Sequence, residues 1–217
     1  MIDSDGAGGQ GRTGGSAAGE SGAGRSGYQD QRVARGIRTR SIIIEAMIGL
    51  IVEGQAEPTS RQVAHRAGVS VRLVFHHFGD LQQLFTSAAA HQASRSLGLI
   101  GILPPHGPVE TRILLICRQR RHLFEANAPL LRASYARSPG STALTDSLAG
   151  HRTLLRRQLE VTLAPEIDAR GSQAAVVLDA LDVAAGWHTW SALRFDAGHS
   201  APSAEQVIAF SVSRLLL

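Results

Sequence analysis

Residues 58–85 read PTSRQVAHRAGVSVRLVFHHFGDLQQLF, and this stretch decides the fold. Thr59-Ser60-Arg61-Gln62 has the form of a capping box. The Thr59 hydroxyl can accept from the Gln62 backbone N–H, and the Gln62 side chain can reach back to the Thr59 N–H. Val63, Ala64 and Ala67 then give a short helix a small apolar face, which lets a second helix approach closely. Gly68 follows, where a left-handed residue ends a helix at little steric cost. Val69 plugs the angle, and Ser70 suits the N-cap of a segment carrying Val71, Arg72, Leu73, Val74, Phe75 and His76. Helix, short turn with glycine, helix is the helix-turn-helix layout, whose second helix enters a DNA major groove N-terminus first. Asp80-Leu81-Gln82-Gln83 caps a further helix, with Leu84 and Phe85 facing inward.

Outward from this stretch the chain reads as helix after helix. Upstream, Ile43, Ala46, Met47, Leu50 and Ile51 fall on one helical face, Gly54 closes that helix and Pro58 blocks its continuation. Downstream, Leu103-Pro104-Pro105-His106-Gly107-Pro108 is a break. A helix from Pro108 runs through Ile113, Leu114, Ile116, Cys117 and Phe124. Asn127-Ala128-Pro129 is expected to break it again, leaving a short helix over 130–137 and a turn at Ser138-Pro139-Gly140-Ser141. Long helices are expected around 144–163 and 173–195, a stop at Ala197-Gly198-His199, and a last helix over 204–217. Period-two apolar alternation and Asn-Gly hairpin turns are lacking, so the fold class is all-α. The first 27 residues hold ten of the 23 glycines and read as a flexible tail. Their two G-x-G-x-x-G matches (Gly6-Gly8-Gly11 and Gly22-Gly24-Gly27) lack the strand-then-helix context of a dinucleotide site.

Composition narrows the function classes. At 217 residues with 43% hydrophobic and 18% charged residues, the chain suits a globular protein rather than a disordered one. The net charge of +4 is carried by arginine alone, without a lysine, and is compatible with a polyanionic partner. Cys117 is the single cysteine, so no internal disulfide forms. The apolar runs are far shorter than the roughly 20 residues that span a bilayer, and the N-terminus lacks a signal-peptide core. A cytoplasmic protein without a membrane segment is expected.

The quoted stretch resembles the DNA-binding domain of TetR-family transcriptional regulators. The family's Ile-Ala, Ala-Gly-Val-Ser and Tyr-x-x-Phe places are held by Val63-Ala64, Ala67-Gly68-Val69-Ser70 and Phe75-His76-His77-Phe78. Thr39-Arg40 and the Ile43/Ala46 pattern resemble its first helix. Two positions depart. Phe75 replaces the usual tyrosine and Leu81 the usual lysine, each removing a phosphate contact. The resemblance implies an N-terminal three-helix DNA-binding domain over 30–85 after a tail over 1–29. It also implies a helical effector-binding and dimerisation domain over 86–217. Arg72 is the candidate for base readout, because guanidinium pairs bidentately with guanine, and Val71 for a thymine methyl. Thr59, Ser60, Arg61, Ser70, Phe75, His76 and His77 are candidates for positioning on the DNA backbone, with Arg38 and Arg40 adding phosphate contacts. An inter-helix hydrogen bond is an equal role for His77. The implied partners are a double-stranded DNA operator, a small-molecule effector and a second copy of the chain. The implied function is a repressor released by that effector; an effector-independent DNA- or protein-binding module of the same fold is the alternative.

In the C-terminal part, Arg121, His122, Phe124, Tyr135, Trp187, His188 and Trp190 are the candidate effector contacts, apolar walls with a few polar groups. Arg194 joins them on the Trp187 helix. Core or dimer packing is the competing role of the two tryptophans, and surface or structural roles that of His122 and His188. The two last long helices would form the dimer, with Leu215, Leu216 and Leu217 at the interface. Cys117 lies in an apolar run, as a buried hydrophobe rather than a sensor. An enzyme is not expected. G-x-S-x-G, P-loop and H-E-x-x-H motifs are lacking, and no two histidines stand three or four apart to chelate a metal from one helical face. Asp179 and Asp182 could hold a cation or solvate a helix, the second being favoured without histidine partners. No cofactor is implied.

Overall fold

The computed structural model describes residues 21–216, without the side chains of residues 21–30 and Leu97. The first glycine motif and most of the expected tail therefore lie outside the described residues. Helix α1 spans Ser21–Val52, so residues 21–29, expected in the tail, are helical. Pro58 is the first proline of the chain, so no proline interrupts the helix over residues 21–52.

By compactness the chain divides between Ser41 and Ile42, inside α1. In the first unit the Thr39 and Ser41 hydroxyls donate back to the carbonyls of Arg35 and Ile37. Arg38 and Arg40 are exposed there.

The second unit opens with the rest of α1, whose Ile43, Ala46, Met47 and Ile51 are buried in the expected phase. Helices α2 (Ser60–Ala67), α3 (Val71–Phe78) and α4 (Leu81–Leu97) follow. They share one core with Val63, Ala64, Val74, Phe78, Leu84, Phe85 and Ala88, and that core extends to Leu130, Ala133 and Leu144. The expected change of domain at residues 85 and 86 thus falls inside α4, not in a linker.

Helix α5 (Val109–Arg137) is continuous, with Pro129 inside it. This corrects the expected break at Asn127-Ala128-Pro129. An interior proline costs about 3 kcal/mol, but Ala128, Leu130 and Ala133 are buried on either side of it. Fully burying a leucine recovers about 1.5–3 kcal/mol, so packing outweighs local preference.

Ser138–Gly140 is a 3₁₀ turn, and Ser141 caps α6 (Thr142–Thr162), followed by the short α7 (Ala164–Asp168). The single helix expected over 173–195 is instead α8 (Ala174–Ala184), a step at Gly186, α9 (Trp187–Ser191) and a π-helical turn over Ala192–Asp196. At the step a Cβ on residue 186 would stand 2.7 Å from the Asp182 carbonyl oxygen. Only glycine permits that approach without a shift of backbone, and its extended φ/ψ of −86°/169° interrupts the helix there. Helix α10 (Ala201–Leu216) ends the described chain. A second core gathers Ile113, Ile116, Leu159, Leu181, Trp190, Ile208 and Val212.

Candidate functional site

The α2–turn–α3 segment is built by caps, each using an orphan backbone group of a helix end. Gln62 N–H donates to the Thr59 hydroxyl at 3.3 Å, and the Thr59 N–H donates to Gln62 Oε1 at 2.8 Å. Gly68 takes φ 66°, and the N–H groups of Gly68 and Val69 close back on His65 and Ala64 as a Schellman pair. Ser70 Oγ accepts from Leu73 N–H at 3.2 Å, and Asp80 Oδ1 accepts from Gln83 N–H at 2.7 Å. Arg66 ties α2 to the turn that follows α1 through a two-pronged pair with Glu53, at 2.5 and 2.7 Å. The hydrogen bond from Arg66 holds the Glu53 carboxyl below its ordinary range.

These caps set which face of α3 turns outward. Val74 and Phe78 are buried, whereas Arg72, Phe75 and His76 are exposed at i, i+3 and i+4. Phe75 shows 41% of its surface, a large apolar ring in an otherwise polar row. His77 is half-buried, with its ring edge-on to His76 at 5.6 Å. Val71 and Leu81 are half-buried against the core, so Leu81 serves packing. Arg61 is exposed and Ser60 half-buried. The Thr59 and Ser70 hydroxyls already act as caps, which leaves less of each for any other acceptor or donor.

The second feature is a cavity of about 400 Å³ bounded by α4, α5, α6 and the α8–α9 step. That volume lies in the range of small-molecule sites, about 300–1,000 Å³. Of the candidate contacts, Phe124, Tyr135, Trp187 and His188 line it. Tyr135 stacks on Trp187 with rings 9° apart, and His188 meets Tyr135 edge-on at 4.6 Å. Burial raises the Tyr135 hydroxyl above its ordinary pKa.

Arg121, His122 and Trp190 do not line the cavity. Arg121 pairs with Glu205 at 2.8 Å, and it shares a shallow surface hollow with His122, Pro202 and Glu125. Trp190 is fully buried, and its Nε1–H donates to Glu125 Oε1 at 3.0 Å. Arg194 holds the same carboxylate at 2.8 and 3.0 Å and lowers its pKa. The reason is helix phase: consecutive residues stand about 100° apart.

Two arginines do line the cavity, Arg120 and Arg152, together with Asn127 and Asp182. The signal for Arg120 is present in the sequence, because Ile113, Cys117, Arg120 and Phe124 recur at helical spacing. An arginine on an apolar stripe is read as surface until the stripe's partners are known. Asp182 accepts from Arg152 Nε at 2.7 Å and Asp179 pairs with Arg156 at 2.7 Å. Both acids of that i, i+3 pair are thus matched by arginine. Cys117 is buried, and desolvation pushes its thiol up to about 12, as expected of an inert hydrophobe.

The exposed apolar residues of the last helices are Val176 and Val183 on α8 and Val207 and Phe210 on α10. Leu216, expected at an interface, is instead buried within the second core, Leu215 packs against it, and Leu217 lies outside the described residues. No helix among the described residues is long and apolar enough to cross a membrane.

The fold so built is that of TetR-type regulators. A TetR transcription regulator from Haloarcula marismortui ATCC 43049 superposes with a TM-score of 0.64 at 17% identity, over 82% of this chain and 96% of that one. A protein assigned to the TetR family of transcriptional regulators from Mesorhizobium loti MAFF303099 gives 0.58 at 18% identity, over 84% and 96%. A transcriptional regulator from Rhodococcus sp. Rha1 gives 0.54 at 20% identity, over 83% and 95%. No family model and no curated protein matches the sequence. At these identities the likeness establishes the fold.

Proposed function

We propose that the protein is a DNA-binding transcriptional regulator of the TetR family. It acts in the cytoplasm as a homodimer, without catalysis, as a repressor that a small-molecule effector releases. The observation that carries this reading is the capped α2–α3 unit, which buries Val74 and Phe78 and presents Arg72, Phe75 and His76 outward. Arg72 reads a guanine edge and Val71 a thymine methyl. Arg61, Ser60, His76 and His77 position the duplex backbone, with Thr59 and Ser70 contributing chiefly as caps and Arg38 and Arg40 as phosphate contacts. Phe75 replaces a phosphate contact with apolar contact to sugars or a base methyl.

The exposed row of Val176, Val183, Val207 and Phe210 supports pairing of α8 and α10 with a second copy. That dimer would set two α3 helices about 34–36 Å apart, or at a multiple of that spacing, on a near-palindromic operator. The cavity supports an effector, whose differential affinity for two spacings of the reading heads shifts DNA occupancy.

Anisotropy titration with duplexes flanking the protein's own gene tests the reading. Arg72→Ala is expected to lose sequence discrimination, and Arg61→Ala to weaken all duplexes alike and flatten the salt dependence. Equal discrimination by Arg72→Ala and the parent removes the groove assignment. No duplex binding at low ionic strength removes the regulator reading itself.

A further inference from the structure

Helix α5 buries two arginines, and they are treated very differently. Arg112 is enclosed by acceptors: the Glu166 carboxylate takes two of its N–H groups, and the carbonyls of Thr162 (2.6 Å) and Gly107 (3.2 Å) take others. Arg120 shows 1% of its surface, and its single hydrogen bond runs from Nη2 to the Leu155 carbonyl at 2.8 Å. Its Nε and Nη1 have no acceptor among the described residues, and no carboxylate there lies within ion-pair distance. A buried guanidinium left this way carries a large desolvation penalty.

Two polar groups beside Arg120 on the cavity wall, Asn127 and Asp182, are already matched. Asn127 Oδ1 accepts from Gln92 at 2.8 Å and Ser96 at 2.7 Å, and its amide donates to the Leu123 carbonyl at 2.7 Å. Asp182, the acid on the wall, is held by Arg152 at 2.7 Å with Arg156 at 3.8 Å. With that acid neutralised, Arg120 leaves the wall net positive, and His151 and His188 add further N–H groups. The rest of the wall is apolar, including Leu123, Leu130, Leu148, Leu159, Phe124 and Trp187.

We propose that the cavity binds an amphipathic organic carboxylate. Its carboxylate supplies acceptors to the unpartnered N–H groups of Arg120, and its hydrocarbon body lies against the leucines, Phe124 and Trp187. The site therefore selects for a negative charge at one end of an apolar molecule, because arginine–carboxylate pairing away from water discriminates strongly against a neutral head. Only the regulatory consequence rests on the regulator reading; the binding chemistry does not, and it is tested without DNA.

The probes are decanoate and naphthalene-2-carboxylate, each against its primary amide, titrated into the full chain by calorimetry and by tryptophan fluorescence, which reports Trp187 and Trp190 together. At least one acid is expected to bind about tenfold or more tighter than its amide. In Arg120→Gln that preference is expected to fall to within about twofold while amide binding persists. Asp182→Asn removes the nearby negative charge and is expected to widen the preference, which keeps the test decisive where Arg120→Gln does not fold. Amides that bind as tightly as their acids, a preference unchanged in Arg120→Gln, or no binding of either acid overturns the proposal. Loss of duplex binding in the Arg72 experiment leaves it standing.

Discussion

The reading head and the cavity are built by opposite means. In the α2–α3 unit the helix caps are local, even though Arg66 with Glu53 and the buried Phe78 reach further along the chain. Thr59 with Gln62, Gly68 with His65 and Ser70 with Leu73 act within three residues of each other. In the cavity, residues from 89 to 188 converge, and its buried charge is defined by what fails to reach it. A head made of caps keeps its shape through short-range bonds, whereas a cavity made by packing changes shape when distant helices shift. That is a division suited to a rigid reader coupled to an adaptable receptor.

Mutations that separate these two modes test the comparison. The largest expected effect is Phe78→Ala. It removes a ring that is 4% exposed from the first core and is expected to cost about 3–5 kcal/mol in urea unfolding. A loss below about 1 kcal/mol would show that the head does not depend on that core.

Next is Gly186→Ala, whose Cβ meets the Asp182 carbonyl at 2.7 Å. Backbone must move, at a cost on the order of 1–3 kcal/mol, and tryptophan fluorescence is expected to shift while duplex affinity in the absence of effector stays within about twofold. An equal loss of duplex affinity breaks the separation. Gly68→Ala forces a side chain into φ 66° and is expected to cost about 1–2 kcal/mol, with the opposite pattern: weakened duplex binding and an unaltered cavity. Ser70→Ala removes one cap, about 1 kcal/mol, read as a small drop in melting temperature.

The smallest effect is on pH. Burial raises Cys117 from an ordinary 9.0 to about 12 and lowers Arg120 from 12.5 to about 10. Between pH 9 and 10 the folded state holds the thiol proton that the unfolded chain releases, so stability falls. Above pH 10 the folded state releases the Arg120 proton first, which opposes the fall, while the raised Tyr135 hydroxyl adds to it. Urea midpoints are expected to dip from pH 9, and Cys117→Ala is expected to remove the dip between pH 9 and 10. A dip that persists in Cys117→Ala assigns it to another group.

The head was legible because caps and turn glycines act on their immediate neighbours, and Thr59, Gly68, Ser70 and Asp80 each stand where their chemistry requires. The differences between sequence and structure share one cause. Pro129 reads as a break because its local cost is plain in the chain, whereas the packing of Leu130 and Ala133 that offsets it is not. Arg121 and Arg120 are neighbours in sequence, and only the approach of α6 and α8 decides which one faces the cavity. Leu216 reads as interface in the sequence because nothing in a one-dimensional chain shows that Ile208 and Val212 lie in the same intramolecular core.

By itself the sequence determined the helical class, the capped α2–α3 unit and the outward row of Arg72, Phe75 and His76, because each depends on interactions within about one helical turn. The tertiary structure alone decided the cavity, the step at Gly186 and the isolation of Arg120. Those depend on which distant backbone and carboxylate groups come near, and a buried charge takes its meaning from neighbours that the order of residues does not name.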